Sequence, residues 1–130
     1  MVRGKGRLRL DHVNLRTGRL AEMVRWYCDV VGLEEGWRPP FAFPGAWLYA
    51  GEDPVLHLVA VETALRTDGE IALEHFALAA GGSAELDRFR ARLDRAGVVA
   101  EERRVPGTDI LQLNLHDPDG NHLHVDFHLK

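Results

Sequence analysis

Leu10-Asp11-His12-Val13-Asn14-Leu15 returns in the second half of the chain as Leu73-Glu74-His75-Phe76-Ala77-Leu78, histidine on histidine and leucine on leucine. A repeat of this kind decides the fold, because each copy marks one supersecondary unit. Each copy is followed by apolar residues at helical spacing. Leu20, Met23, Val24, Tyr27, Val30 and Val31 keep the i, i+3, i+4, i+7 pattern, and Gly32 stops it. Leu86, Phe89, Leu93 and Ala96 do the same, with Ser83 as N-cap and Gly97 as stop. Three strand-like segments follow each helix, at 33–38, 46–50 and 54–61, then at 98–104, 109–115 and 121–129. The expected architecture is α+β, with two βαβββ modules, 8–61 and 70–129, joined by a polar linker at 62–69. Together they make one domain over 1–130, an eight-stranded, cupped, incomplete barrel with its helices outside.

Strict alternation assigns a face to each strand. In the last one, Leu123, Val125, Phe127 and Leu129 alternate with His122, His124, Asp126 and His128. The apolar set packs on the helices and the polar set lines the opposite face. The same rule turns His12 and Asn14 away from Val13 and Leu15, His75 away from Phe76 and Leu78, and His57 away from Leu56 and Leu58. His12, His57, His75 and His124 thus come from four strands, all on the side away from the helices. Curvature of the two modules into one cup would bring all four together.

The remaining composition is plain. Among 130 residues, Lys and Arg total 16 against 20 Asp and Glu, a formal charge of −4. That balance argues against a nucleic-acid module, which carries a basic face. A single Cys, Cys28, excludes an intrachain disulfide or a Cys-pair zinc site and fits a reducing, cytoplasmic compartment. No apolar run reaches the roughly 20 residues needed to span a bilayer, and the basic start has no apolar stretch after it, unlike a signal peptide. The seven histidines are what stand out.

Neutral imidazole is the commonest metal-binding side chain, and ligands on rigid strands suit a metal site. His122 shares the face of His124 but sits two residues away, the place of a pocket wall or of a group behind the ligands. His116, before Asp117-Pro118-Asp119-Gly120, and His128, at the chain end, read as solvated surface.

These residues resemble the vicinal oxygen chelate superfamily, which includes glyoxalases, extradiol dioxygenases, methylmalonyl-CoA epimerase and the fosfomycin and bleomycin resistance proteins. The resemblance rests on Leu10-Asp11-His12-Val13, on Trp26-Tyr27 with Val31-Gly32-Leu33, on Glu74-His75-Phe76-Ala77, on Ala96-Gly97-Val98 and on Asp117-Pro118-Asp119-Gly120-Asn121. It implies paired βαβββ modules around a divalent metal, often in a homodimer. Carried over position by position, it places metal ligands at His12, His57, His75 and His124. At the last the family most often has Glu, and at His57 many glyoxalases do. Four imidazoles leave the full charge of a divalent ion, which strengthens it as a Lewis acid toward an anionic substrate. The same change removes the carboxylate that a glyoxalase-type proton shuttle uses, leaving His124, His122 and Asp126 as candidate bases.

Phe41, Phe43, Trp47 and Tyr49 belong to a stiff, proline-rich aromatic stretch that either walls a substrate pocket or covers the open end of the core. Gln112 and Asn114 alternate with Leu111, Leu113 and Leu115 and so face the cavity, Gln112 joining His122 and His124 as a catalytic candidate. Arg103-Arg104 reads as a solvated strand end, with capture of a carboxylate or phosphate as its functional alternative. The expected function is a divalent-metal enzyme (Zn, Ni, Fe or Mn) that chelates vicinal oxygens of a small-molecule substrate, lyase- or isomerase-like, with dioxygenase chemistry second. The alternative is a metal-free protein that sequesters a drug or metabolite, as bleomycin-resistance proteins do.

Overall fold

The computed structural model describes residues 8–63 and 71–129. Strand β1 (Val13–Thr17) leads into helix α1 (Leu20–Trp26), which widens into a π-helical turn over Tyr27–Val31; β2 (Glu34–Gly36), β3 (Gly45–Ala50) and β4 (Asp53–Ala60) follow. The second module repeats the order as β5 (His75–Ala80), α2 (Ser83–Ala96), β6 (Glu101–Arg104), β7 (Ile110–His116) and β8 (His122–His128). Most of the linker expected at 62–69, and the first residue of the second module, lie outside the described residues.

The strands form two four-stranded sheets of identical topology, β1-β4-β3-β2 and β5-β8-β7-β6. In each, the first strand pairs in parallel with the last, Val13 opposite Leu56 and His75 opposite His122, and the other pairings are antiparallel. The architecture is α+β with two βαβββ modules, and the sheets do not close into a barrel.

Both modules share one apolar core. Met23, Tyr27, Val30 and Val31 of the first helix are buried in one cluster with Leu86, Phe89 and Leu93 of α2 and with Leu56, Leu58, Leu113, Leu123 and Phe127 of the sheets. The side chains of His57 and His124 lie on the opposite sheet faces, as alternation requires.

Two details differ from the sequence reading. The N-cap of α2 is Gly82 and Ser83 is its first helical residue. No side chain caps the first-turn N–H groups; the Glu85 carboxylate instead reaches back to accept the Gly81 N–H at 2.6 Å, which ties down the chain entering the helix. The first helix ends in a π turn, in which the N–H groups of Gly32 and Leu33 both donate to the Tyr27 carbonyl at 3.0 Å. Gly32, at φ 94, supplies the left-handed residue that ends it.

The Asp117-Pro118-Asp119-Gly120-Asn121 turn ties one module to the other. Buried Asp117 accepts from the Asp119 and Asn121 N–H groups and from the Asn121 side chain, all at 2.9 Å. It also takes the hydroxyl of Tyr27, on the first helix, at 2.6 Å. Arg19 Nε pairs with Asp119 at 3.0 Å beside it.

Candidate metal and substrate site

The four expected ligand histidines, three within strands and His12 one residue before β1 rather than in it, divide between the two sheets. On the first, His57 in the middle of β4 is paired with Trp47 on β3 and with Asn14 on β1. Its ring is sandwiched. His12 stacks on it at 3.8 Å between centroids, with planes 13° apart, and Trp47 stacks on it at 4.0 Å and 10°. The His57 Nε2–H donates to the Pro54 carbonyl at 3.0 Å. Burial, reinforced by the neighbouring His12, pushes its pKa below the usual histidine value and keeps the ring neutral.

On the second sheet, His75 lies 4.8 Å from His124 and 5.1 Å from His122 between ring centroids, with planes 38° and 48° apart. Possible ligand atoms of Glu74, His75 and His122 all fall within 4.8 Å of one another. His122 donates through Nε2 to Asn114 Oδ1 at 2.8 Å, and the Asn114 amide donates in turn to the Glu101 carbonyl at 3.2 Å. Burial, with His116 and His75 close by, lowers the His122 pKa.

One pattern joins the two halves. His12 Nδ1 donates to Asp11, His75 Nδ1 to Glu74, and His124 Nδ1 to Asp126. A carboxylate on one ring nitrogen fixes the tautomer and leaves Nε2 with its lone pair, the usual support of a metal-binding imidazole. The signal was visible in the sequence as an acidic residue before His12 and before His75, and two positions after His124.

The donor chemistry of His12, His75 and His124 therefore fits a divalent metal. His57 fits less directly: rings stacked 3.8 Å apart and 13° from parallel hold their lone pairs in two separate, nearly parallel planes, so His12 and His57 do not aim at one ion until one ring turns. Among the described residues, no ring contact joins His12 or His57 to His75, His122 or His124.

The expected pocket walls divide in the same way. Gln112 and Asn114 line a cavity of about 640 Å³ with His75, His122 and His124. Phe41, Phe43 and Trp47 line a smaller pocket, about 130 Å³, with His57 and Arg38. Asn114 does not join the aromatic residues, because β7 belongs to the other sheet. Tyr49 is not among the residues lining that pocket; its hydroxyl donates to the Trp37 carbonyl at 2.6 Å.

His116, read as background surface, is exposed but stacks on His122 at 5.0 Å and lines the larger cavity. Arg103 lines it too, paired with Glu101 at 2.9 Å, because its register with Gln112 brings it to that face. A groove of about 650 Å³ between the helices, lined by Trp26, Cys28 and Arg92, has no histidine among its lining residues.

The model of the Glyoxalase/Bleomycin resistance protein/Dioxygenase superfamily matches residues 9–125. Among solved structures, a glyoxylase/bleomycin resistance protein/dioxygenase domain from Frankia sp. EAN1pec is similar over 96% of this chain and 95% of its own, with 20% identity and a TM-score of 0.75. Lactoylglutathione lyase from Agrobacterium tumefaciens is similar over 95% and 96%, with 23% identity and a TM-score of 0.69. A genomically encoded fosfomycin resistance protein from Listeria monocytogenes is similar over 98% and 94%, with 16% identity and a TM-score of 0.66. No curated protein matches. At such identities the structural likeness speaks for the fold.

Proposed function

Because the chain belongs to the Glyoxalase/Bleomycin resistance protein/Dioxygenase superfamily, we propose that it is a divalent-metal-dependent enzyme acting on vicinal oxygens of a small substrate, of lyase or isomerase type ahead of dioxygenase. The observation that carries this reading is the threefold pairing of His12, His75 and His124 with Asp11, Glu74 and Asp126, each made through Nδ1 so that Nε2 is the nitrogen left to face a ligand. His12, His57, His75 and His124 are the ligands, His57 joining once its ring leaves the stack. The ion is Zn, Ni, Fe or Mn. Bound there, it supplies Lewis acidity toward two substrate oxygens.

The chain's own groups provide the rest. His122, held by Asn114, is placed to take or return a proton in the larger cavity, and the Gln112 amide is placed to hold a substrate oxygen. Asp126 orients His124, so removing it weakens metal retention as well as proton transfer. The ligand pairs lie on separate sheets, so a complete centre takes the first-module face of one copy and the second-module face of another. The protein then works as a homodimer, in the cytoplasm if its lone thiol reflects a reducing compartment. Among the described residues no helix is long and apolar enough to cross a membrane.

The second reading, a metal-free binder of a drug or metabolite, draws on the His12–His57–Trp47 stack, an aromatic surface that binds without any ion. Metal analysis of untagged protein separates the two. The enzyme reading expects about one divalent ion per chain, lost in His12→Ala and His75→Ala variants. A stoichiometry near zero, unchanged in both variants, contradicts it.

A further inference from the structure

The pocket on the first sheet holds a charged group that the metal reading does not use. Arg38 is half-buried there. Its Nη2 donates to the Phe43 carbonyl at 2.8 Å, and its guanidinium carbon lies 5.0 and 5.1 Å from the ring centres of Phe41 and Phe43. No carboxylate pairs with it among the described residues. Its seat is built by a glycine. A Cβ at Gly45 would stand 2.9 Å from Arg38 Nη2 and 2.4 Å from the Leu58 carbonyl oxygen. Only a residue without a side chain lets the guanidinium lie across β3 at this point.

The walls are aromatic. Phe41 stacks on Phe43 at 5.1 Å and tilts toward Trp47 at 6.5 Å, and Trp37 meets Trp47 edge-on at 6.1 Å. Phe41 and Phe43 are each 45% exposed and Trp37 is 69% exposed. Single exposed apolar residues are ordinary, but Phe41 and Phe43 stand together on the rim of this pocket, with Trp37 outside it against Trp47, and grouped exposed rings mark a binding surface. A guanidinium without an acid partner, set among ring faces, selects for a ligand that brings both a carboxylate and a π face. The volume of about 130 Å³ holds one ring and its acid group, being below the roughly 300–1,000 Å³ of sites for larger ligands.

We propose that this pocket binds a small aromatic carboxylate, its ring against the Phe41–Trp47 wall and its acid on Arg38. His57 lines the same pocket, so the ring is held beside a proposed metal ligand. The inference deepens the function above by naming a substrate class. It rests on that reading for turnover only, because binding here needs no ion.

The test uses metal-stripped protein carrying ¹⁵N in its indole groups, titrated with benzoate, with benzamide (same ring, no charge) and with cyclohexanecarboxylate (same charge, no π face). Benzoate is expected to shift the Trp47 indole signal saturably and to leave that of Trp26, on α1, in place. The two analogues should bind about tenfold more weakly or worse. R38Q should weaken benzoate to the level of benzamide, and R38K, which keeps the charge but loses the fork, should fall between. A Trp47 signal unmoved by benzoate, equal binding of benzoate and benzamide, or undiminished binding in both Arg38 variants overturns the proposal. Metal content in R38Q should equal that of the parent. Benzoate binding by a protein that never takes up metal would sink the metal reading and leave this one standing.

Discussion

Asp117 shows how much one side chain carries. Its carboxylate is buried and accepts four donors, one of them from the other module. The sequence marked this turn by its Pro-Asp-Gly chemistry and its place before the last strand. The link to Tyr27, 90 positions away, was not legible, because periodicity assigns tyrosine to a buried face without naming the partner of its hydroxyl. Tyr27→Phe is expected to cost about 1.5 kcal/mol and Asp117→Ala about 3 kcal/mol, since the latter strands several donors at once. Urea unfolding midpoints read both, and an unchanged midpoint for Asp117→Ala would refute the clasp. Cys28 gives a second prediction at this scale. Burial, with the carboxylates of Glu35, Asp29 and Glu34 nearby, raises its pKa above the usual thiol value despite a backbone hydrogen bond at Glu35 that works the other way. Less thiolate is present at pH 8 than in a free thiol, so alkylation by iodoacetamide should be slower than for glutathione and should accelerate as pH rises further. A rate equal to that of glutathione contradicts this.

At the scale of elements, the two helices were legible from apolar spacing and from the glycines that end them. Gly97 sits at φ 69 with open space around its missing Cβ, so only backbone strain opposes a side chain there. Gly97→Ala should therefore cost about 1 kcal/mol. Gly45→Ala is different in kind. The added methyl meets a strand carbonyl that cannot move cheaply, so the loss should exceed that of Gly97→Ala and should displace Arg38 as well. Thermal melts of the two variants check the order, and a Gly45→Ala protein as stable as its parent would refute the close approach. What the pattern could not show was the helix-to-π change at Tyr27, because one turn of wider helix leaves Met23, Tyr27, Val30 and Val31 on the same buried side. Nor did it show that α2 starts from Gly82, with Ser83 already inside the helix and Glu85 reaching back to Gly81, because that boundary depends on backbone and side-chain geometry.

At the scale of the molecule, the repeat revealed two modules, and alternation revealed which face of each sheet carries histidine. Neither could say which open faces meet, since strand periodicity orients a side chain only relative to its own sheet. Within one chain the modules join through their apolar faces, around Tyr27, Phe89 and Phe127, and among the described residues no ring contact links His12 or His57 to His75 or His124. The proposed four-histidine centre takes its second pair from another copy, and on that reading light scattering should find a dimer. The most direct test mixes two co-expressed, untagged variants, His12→Ala/His57→Ala and His75→Ala/His124→Ala. Each alone should hold almost no divalent metal. Their mixed dimers should recover one intact site of two, about a quarter of the parental content for random pairing. Metal near zero in the mixture, or full metal retained by either variant alone, would contradict a centre shared between the faces of two chains.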